Sequence, residues 1–157
     1  MSVVESVQIN LWCHDVERCA AFFRALGMRE RFRYPAEGVP HQVEVEAAGV
    51  RIGFSSATIG AELFGIATTT GGASEIVLWC DTVDELHAAA LDAGGSAVVA
   101  PTDSADGRLH YSWVHDPEGH RVKFVEKRKA GPWPDSPSGA REPAGCRESG
   151  PMGHAVA

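Results

Sequence analysis

Residues 11–27 read LWCHDVERCAAFFRALG, and residues 78–94 read LWCDTVDELHAAALDAG. The offset of 67 positions sets Trp12 against Trp79, Cys13 against Cys80, Val16 against Val83, Ala21 against Ala88 and Gly27 against Gly94. Farther on, His41–Val45 (HQVEV) is matched by His110–Val114 (HYSWV). Val50–Phe54 (VRIGF) is matched by His120–Phe124 (HRVKF), after a one-residue slip at the turn. Matches that keep their order and spacing through both halves mark one supersecondary unit written twice.

Each copy has the same grammar. Val7–Cys13 alternates and is rich in strand formers, which predicts a strand. Val16–Leu26 carries Val16, Cys19, Ala20, Phe23 and Leu26 at helical spacing, with Asp15 as N-cap and Gly27 just past the end. Strands follow at Met28–Tyr34, Gln42–Glu46 and Val50–Ser55. The second copy repeats this as strand Glu75–Cys80, helix Val83–Ala93 and strands Ser96–Ala100, Tyr111–His115 and Arg121–Glu126. Asp116-Pro117-Glu118-Gly119 turns the last pair. The unit is βαβββ, and the class is α+β: two tandem βαβββ modules forming a curved mixed sheet around a cleft, with helices on the other face. The expected organisation is a first module over 1–58, a connector over 59–73, a second module over 74–128 and a tail over 129–157.

That tail changes composition. Five of the nine prolines lie in it, and no hydrophobic period survives. Such a segment buries too little apolar surface to offset its ordering entropy and is expected to be flexible, with a partner-docking role anchored by Trp133 as the lesser alternative. Its charges cancel, so the net charge of −7 belongs to residues 1–128. That acidity argues against a nucleic-acid partner. No apolar stretch reaches the ~20 residues of a membrane span. MSVVESVQINLW lacks a basic secretory n-region, so a cytoplasmic protein is expected. Cys13, Cys19, Cys80 and Cys146 form no CxxC pair and have no His at zinc spacing; they read as reduced structural thiols.

The twin modules, the Asp15-Val16-Glu17-Arg18 helix start and the hairpin WVHDPEGHRVKF over 113–124 together resemble the vicinal oxygen chelate superfamily. That group includes glyoxalase I, extradiol dioxygenases, fosfomycin-resistance transferases and bleomycin-resistance proteins. The resemblance covers about residues 5–128 and implies a sheet-lined cleft, commonly in a homodimer. Its enzymes hold a divalent metal through the first and last strands of each module. Here those positions fall on Gln8, Gly53, Glu75 and Lys123. Gln8 and Glu75 can ligate, and some glyoxalases use Gln at the first position. Gly53 has no side chain, and Lys123 sets a cation beside the ion. No cofactor is therefore expected, with a divalent metal elsewhere in the cleft as the lesser alternative. His120 reads as a turn residue rather than a ligand.

Alternation decides which side chains share the cleft. With Gln8 inward, so are Asn10 and Trp12; Glu75 and Trp79 follow in the second module. Tyr111, Trp113 and His115 face with Lys123, and Gln42, Glu44 and Glu46 complete the first module. The expected ligand-binding set is Gln8, Asn10, Trp12, Glu44, Glu46, Glu75, Trp79, Tyr111, Trp113, His115 and Lys123. Aromatic faces stack on planar or cationic ligands, and acidic neighbours favour a cation. Trp12 and Trp79 serve equally well as interface packing. The reading is a metal-independent protein sequestering a planar or aromatic ligand, including cationic antibiotics, after the bleomycin-resistance branch. The rival is a lyase, isomerase or dioxygenase acting on a small oxygenated substrate, with His115, Glu44 or Glu75 as acid/base and Lys123 keeping Glu75 ionised. A protein-interaction module recruiting through the tail comes third.

Overall fold

The computed structural model describes residues 8–67 and 74–128; the tail over 129–157, with Trp133 and Cys146, and positions 68–73 of the expected connector lie outside the described residues. Strands β1 (Gln8–Cys13), β2 (Arg29–Tyr34), β3 (Gln42–Ala47) and β4 (Val50–Ser56) form one four-stranded sheet in the order β1-β4-β3-β2, with helix α1 (Val16–Ala25) between β1 and β2. After helix α2 (Ala57–Phe64), the plan repeats with β5 (Ile76–Trp79), α3 (Val83–Asp92), β6 (Ser96–Asp103), β7 (Leu109–His115) and β8 (Arg121–Lys127), in the order β5-β8-β7-β6. In each sheet the first strand runs parallel to the last and the remaining pairs are antiparallel. The α+β class and the twin βαβββ units are as the sequence predicts, though the strands form two four-stranded sheets rather than one.

Three elements depart from the expected bounds. Helix α2 occupies the end of the first module and the start of the expected connector. Its signals were present in the sequence: the Ser56 hydroxyl accepts from the Ile59 N–H at 3.3 Å, and Gly65 closes the helix in the left-handed region at φ 65°. ATIGAELF is short and holds a glycine, so its period is hard to see. Strand β6 runs on to Asp103, through Pro101, with register shifts between Ala97 and Val99 and between Val99 and Thr102. It is an edge strand, where a missing N–H costs little. Strand β5 is shorter than expected, beginning at Ile76 and ending at Trp79.

Both sheets turn their helix-facing residues into one core. Val43, Val45, Ile52 and Phe54 come from the first sheet, Val114, Val122 and Phe124 from the second, and Phe22, Phe23, Val83 and Ala90 from the helices. Phe23 lies 5.1 Å, centroid to centroid, from Phe54 and 5.2 Å from Phe22. Strict alternation in β3 and β7 produces this, every second residue being buried.

A polar clasp locks the modules together. Asp116 is buried in the β7–β8 turn and accepts the backbone N–H groups of Glu118 (2.9 Å) and His120 (2.8 Å), and Nδ1 of His120 (2.7 Å). The Nε2 of that ring meets the Trp12 carbonyl of the first module at 3.1 Å. Burial opposes charge on the ring, but Asp116 and Cys19 together raise its pKa to about 10, so it is held as the imidazolium with both N–H groups donating. Next to it the Glu118 carboxylate accepts the N–H groups of His14 (3.2 Å) and Asp15 (2.8 Å), just ahead of α1. A negative charge there also complements the helix dipole. Glu118→Ala removes both bonds and is expected to cost about 1.5–3 kcal/mol by urea denaturation, the range for hydrogen bonds to a charged group. A midpoint unchanged within error would show that the clasp carries no load.

Candidate functional site

The face of the first sheet turned away from the core is built around Gly53. β1 and β4 pair Asn10 with Gly53, and β3 pairs Glu44 with it. The Gln8 amide donates to Asn10 Oδ1 (2.8 Å) and Glu44 Oε1 (3.0 Å), and the Ser55 hydroxyl donates to Gln42 Oε1 (2.5 Å). A Cβ at position 53 would collide with the side chains of Asn10, Gln8 and Gln42. The space of the missing side chain is therefore filled by a cluster of amides. Glu44 and Glu46, expected as a free acidic rim, are held by arginines: Arg51 reaches Glu44 at 3.1 Å and Glu46 at 3.8 Å, and Arg31 reaches Glu46 at 3.5 Å.

The outer face of the second sheet is aromatic. Trp113 Nε1 donates to Glu75 Oε2 (2.9 Å), and its ring meets Tyr111 edge-on at 5.1 Å. Lys123, opposite Trp113 in the β7–β8 register, sets its ammonium 4.5 Å from the Trp113 centroid and 5.3 Å from that of Tyr111. Lys127 stands 5.6 Å from the Trp79 ring, and Trp79 is 59% exposed. Glu75 is thus partnered by the indole N–H, and Lys123 by rings, in place of the expected Glu75–Lys123 pairing. His115 follows on the same strand, and among the described residues its side chain forms no hydrogen bond.

The predicted residues therefore gather as two clusters. Gln8, Asn10, Glu44 and Glu46 lie on one sheet; Tyr111, Trp113 and Lys123 lie on the other, joined by Glu75 just ahead of β5. Among the described residues no hydrogen bond, ion pair or ring contact joins the two. Trp12 belongs to neither: its ring lies on α2, where a Cβ at Gly60 would come within 2.6 Å of it. Trp79 borders a cavity of about 490 Å³ between the modules, lined by Ile9, Leu11, Ile52, Ile76 and Leu78.

The four positions at which the resemblance implies a metal do not fit one. Gln8 is engaged by its amide neighbours, Gly53 has no donor, Glu75 receives an indole N–H and Lys123 is a cation. A different donor group does assemble. Cys13 and Cys19, six residues apart, and His120, far along the chain, bring ligand atoms within 4.8 Å of one another. Spacing gave no hint of it, because His120 arrives from the other module. Hydrogen bonding with Cys13, then burial, push the Cys19 thiol up, so it is neutral in this state. Arg51 and Lys127 were also missed. Alternation along β4 sets Arg51 on the face of Gly53, and the β3–β4 register then brings it opposite Glu46.

Residues 6–124 match the family model of the Glyoxalase/Bleomycin resistance protein/Dioxygenase superfamily, and the chain belongs to that superfamily. The fold is similar to that of a hypothetical protein from S. aureus, at TM-score 0.68 and 24% identity over 80% of this chain and 95% of that one. It is also similar to a glyoxalase/bleomycin resistance protein/dioxygenase family enzyme from Burkholderia phytofirmans PsJN, at TM-score 0.65 and 20% identity over 77% and 97% of the two chains. TioX from Micromonospora sp. ML1 matches at TM-score 0.60 and 23% identity, over 78% of this chain and all of that one. No curated protein matches the sequence. Among the described residues no helix is long and apolar enough to cross a membrane.

Gly53→Ala tests the amide cluster. Its Cβ must displace Asn10, Gln8 and Gln42 side chains, and a loss of about 1–3 kcal/mol is expected in chemical denaturation, as for other overpacking substitutions. A neutral effect would mean that the amides part freely.

Proposed function

We propose that this chain is a small-molecule-binding protein that takes a planar aromatic ligand on the face bearing Glu75, Tyr111, Trp113 and Lys123, without a metal at the superfamily positions. The observation that carries the reading is the ammonium of Lys123 stacked over Trp113 and Tyr111, with Glu75 fixed by the indole N–H. Such a platform is already shaped for a flat ring, which would displace the ammonium and leave it free to pair with the ligand's edge. This favours a ligand with an acidic or hydrogen-bonding edge. The cationic ligand expected from composition loses support, since Glu44 and Glu46 are neutralised by Arg51 and Arg31 and the rings already hold lysine cations.

A homodimer is part of the proposal. The exposed Trp79 and Val77 on edge strand β5 favour a second copy meeting this surface. The rival enzyme reading draws on the Burkholderia relative, a glyoxalase/bleomycin resistance protein/dioxygenase family enzyme. For it His115, Glu44 or Glu75 would serve as the acid/base, and two of these are already engaged, Glu44 by Arg51 and Glu75 by the Trp113 indole.

Titration of tryptophan fluorescence with planar aromatic acids and, separately, planar cations tests the proposal. Saturable quenching by the acids is expected. Trp113→Ala should weaken binding about 2- to 30-fold, the span of one aromatic contact worth about 0.5–2 kcal/mol. Trp12→Phe should bind as the parent does. Quenching by neither set, or undiminished affinity in Trp113→Ala, would refute the proposal; turnover of a small oxygenated substrate by the same sample would install the enzyme reading.

A further inference from the structure

We propose that Cys13, Cys19 and His120 bind one thiophilic divalent cation of the zinc type and that this ion staples the two modules. The donors come from three places: Cys13 from the end of β1, Cys19 from the first turns of α1, and His120 from the β7–β8 turn of the other module. Both sulfurs are fully buried, and all three ligand atoms lie within 4.8 Å of one another. In a tetrahedral zinc site with Zn–S bonds near 2.3 Å, sulfurs stand ~3.8 Å apart, so the present spacing needs at most about 1 Å of contraction.

The surroundings suit the ion as well as the ligands do. A metal-bound histidine commonly gives its other ring N–H to a carboxylate, which fixes the ring and raises its basicity. Asp116 holds Nδ1 at 2.7 Å, leaving Nε2 for the ion, and the Trp12 carbonyl beside Nε2 offers a fourth, oxygen donor. Two thiolates, an imidazole and a carbonyl oxygen are a donor set that zinc-type ions take, and the charge of two thiolates balances that of a divalent ion in a buried space.

The duplication supplies an internal control. Under the 67-residue offset, Cys13 corresponds to Cys80 and Cys19 to Leu86, and the partner of His120 in the aligned hairpins is Val50. The fold is thus built a second time with a single thiol, a leucine and a valine, and it does not require the triad. The triad occurs at one end of the pseudo-symmetric pair only, where a turn from one module crosses onto the other.

The test uses the full chain carrying Cys80→Ala and Cys146→Ala, so that any thiolate signal comes from Cys13 and Cys19. Reduced, metal-free protein is titrated with Co²⁺ and then Zn²⁺, and the same chain expressed in zinc-supplemented medium is weighed by native mass spectrometry. One Co²⁺ per chain is expected, with a thiolate-to-cobalt charge-transfer band that Zn²⁺ abolishes. Cys19→Ala and Cys19→Ser should each bind at least about 100-fold more weakly. Asp116→Asn should cost about 10- to 100-fold, as other carboxylates behind a metal-bound histidine do. The parent's metal count and band stand whether or not these variants fold. A folded parent that shows no band and carries no zinc from either route would overturn the proposal, as would a band that persists in Cys19→Ala or a Cys13–Cys19 disulfide in the protein as purified.

Discussion

The imidazolium of His120 is tied at one nitrogen to Asp116 in its own turn and at the other to the backbone of Trp12 in the opposite module. This contact sets how the two sheets meet. A buried carboxylate and imidazolium are costly to desolvate, and the cost is offset only because every N–H at the turn finds an acceptor. Geometry at the β1–α1 corner follows from it. Glu118 occupies the backbone N–H groups of His14 and Asp15, and Asp15 caps α1 by accepting from Arg18 at 2.9 Å. With the corner fixed, the apolar sides of both sheets close on Phe22, Phe23, Phe54 and Phe124, and their other sides stay free for recognition.

The duplicated unit has been used for different ends. Where the first module has Gly53, which makes room for a knot of amides, the second has Lys123, which lies over an aromatic pair. Neither position offers the carboxylate or imidazole that a metal at the sheet face would need. The two modules thus keep one scaffold while carrying different side chains at equivalent positions, and the fold alone does not fix the function.

The fold was legible because it rests on short-range signals. Asp15, Gly27 and Gly94 punctuate helices, DPEG turns a hairpin, and alternation in β3 and β7 sorts buried from outward residues. Helix α2 escaped because eight residues with an internal glycine show little period. The candidate site was half legible: parity placed Gln8, Asn10 and Glu44 together, and Tyr111, Trp113 and Lys123 together. Parity within a sheet cannot say how two sheets are oriented, so a single cleft was inferred where two faces stand. Nor can it pair charges. Arg31 and Arg51 neutralise an edge that composition alone reads as acidic. The Cys13–Cys19–His120 cluster depends wholly on the crossing of one module's turn onto the other, which no spacing records.

The most direct measurement is a fluorine NMR titration of protein labelled with 5-fluorotryptophan, whose four tryptophans give separate resonances assignable by single Trp→Phe variants. If the second sheet's aromatic face is the ligand platform, a planar aromatic acid shifts the Trp113 signal saturably, while the Trp12 signal, packed against Gly60, stays in place. A Trp12 signal that moves while Trp113 does not would contradict the account and carry recognition to the amide-lined sheet and α2.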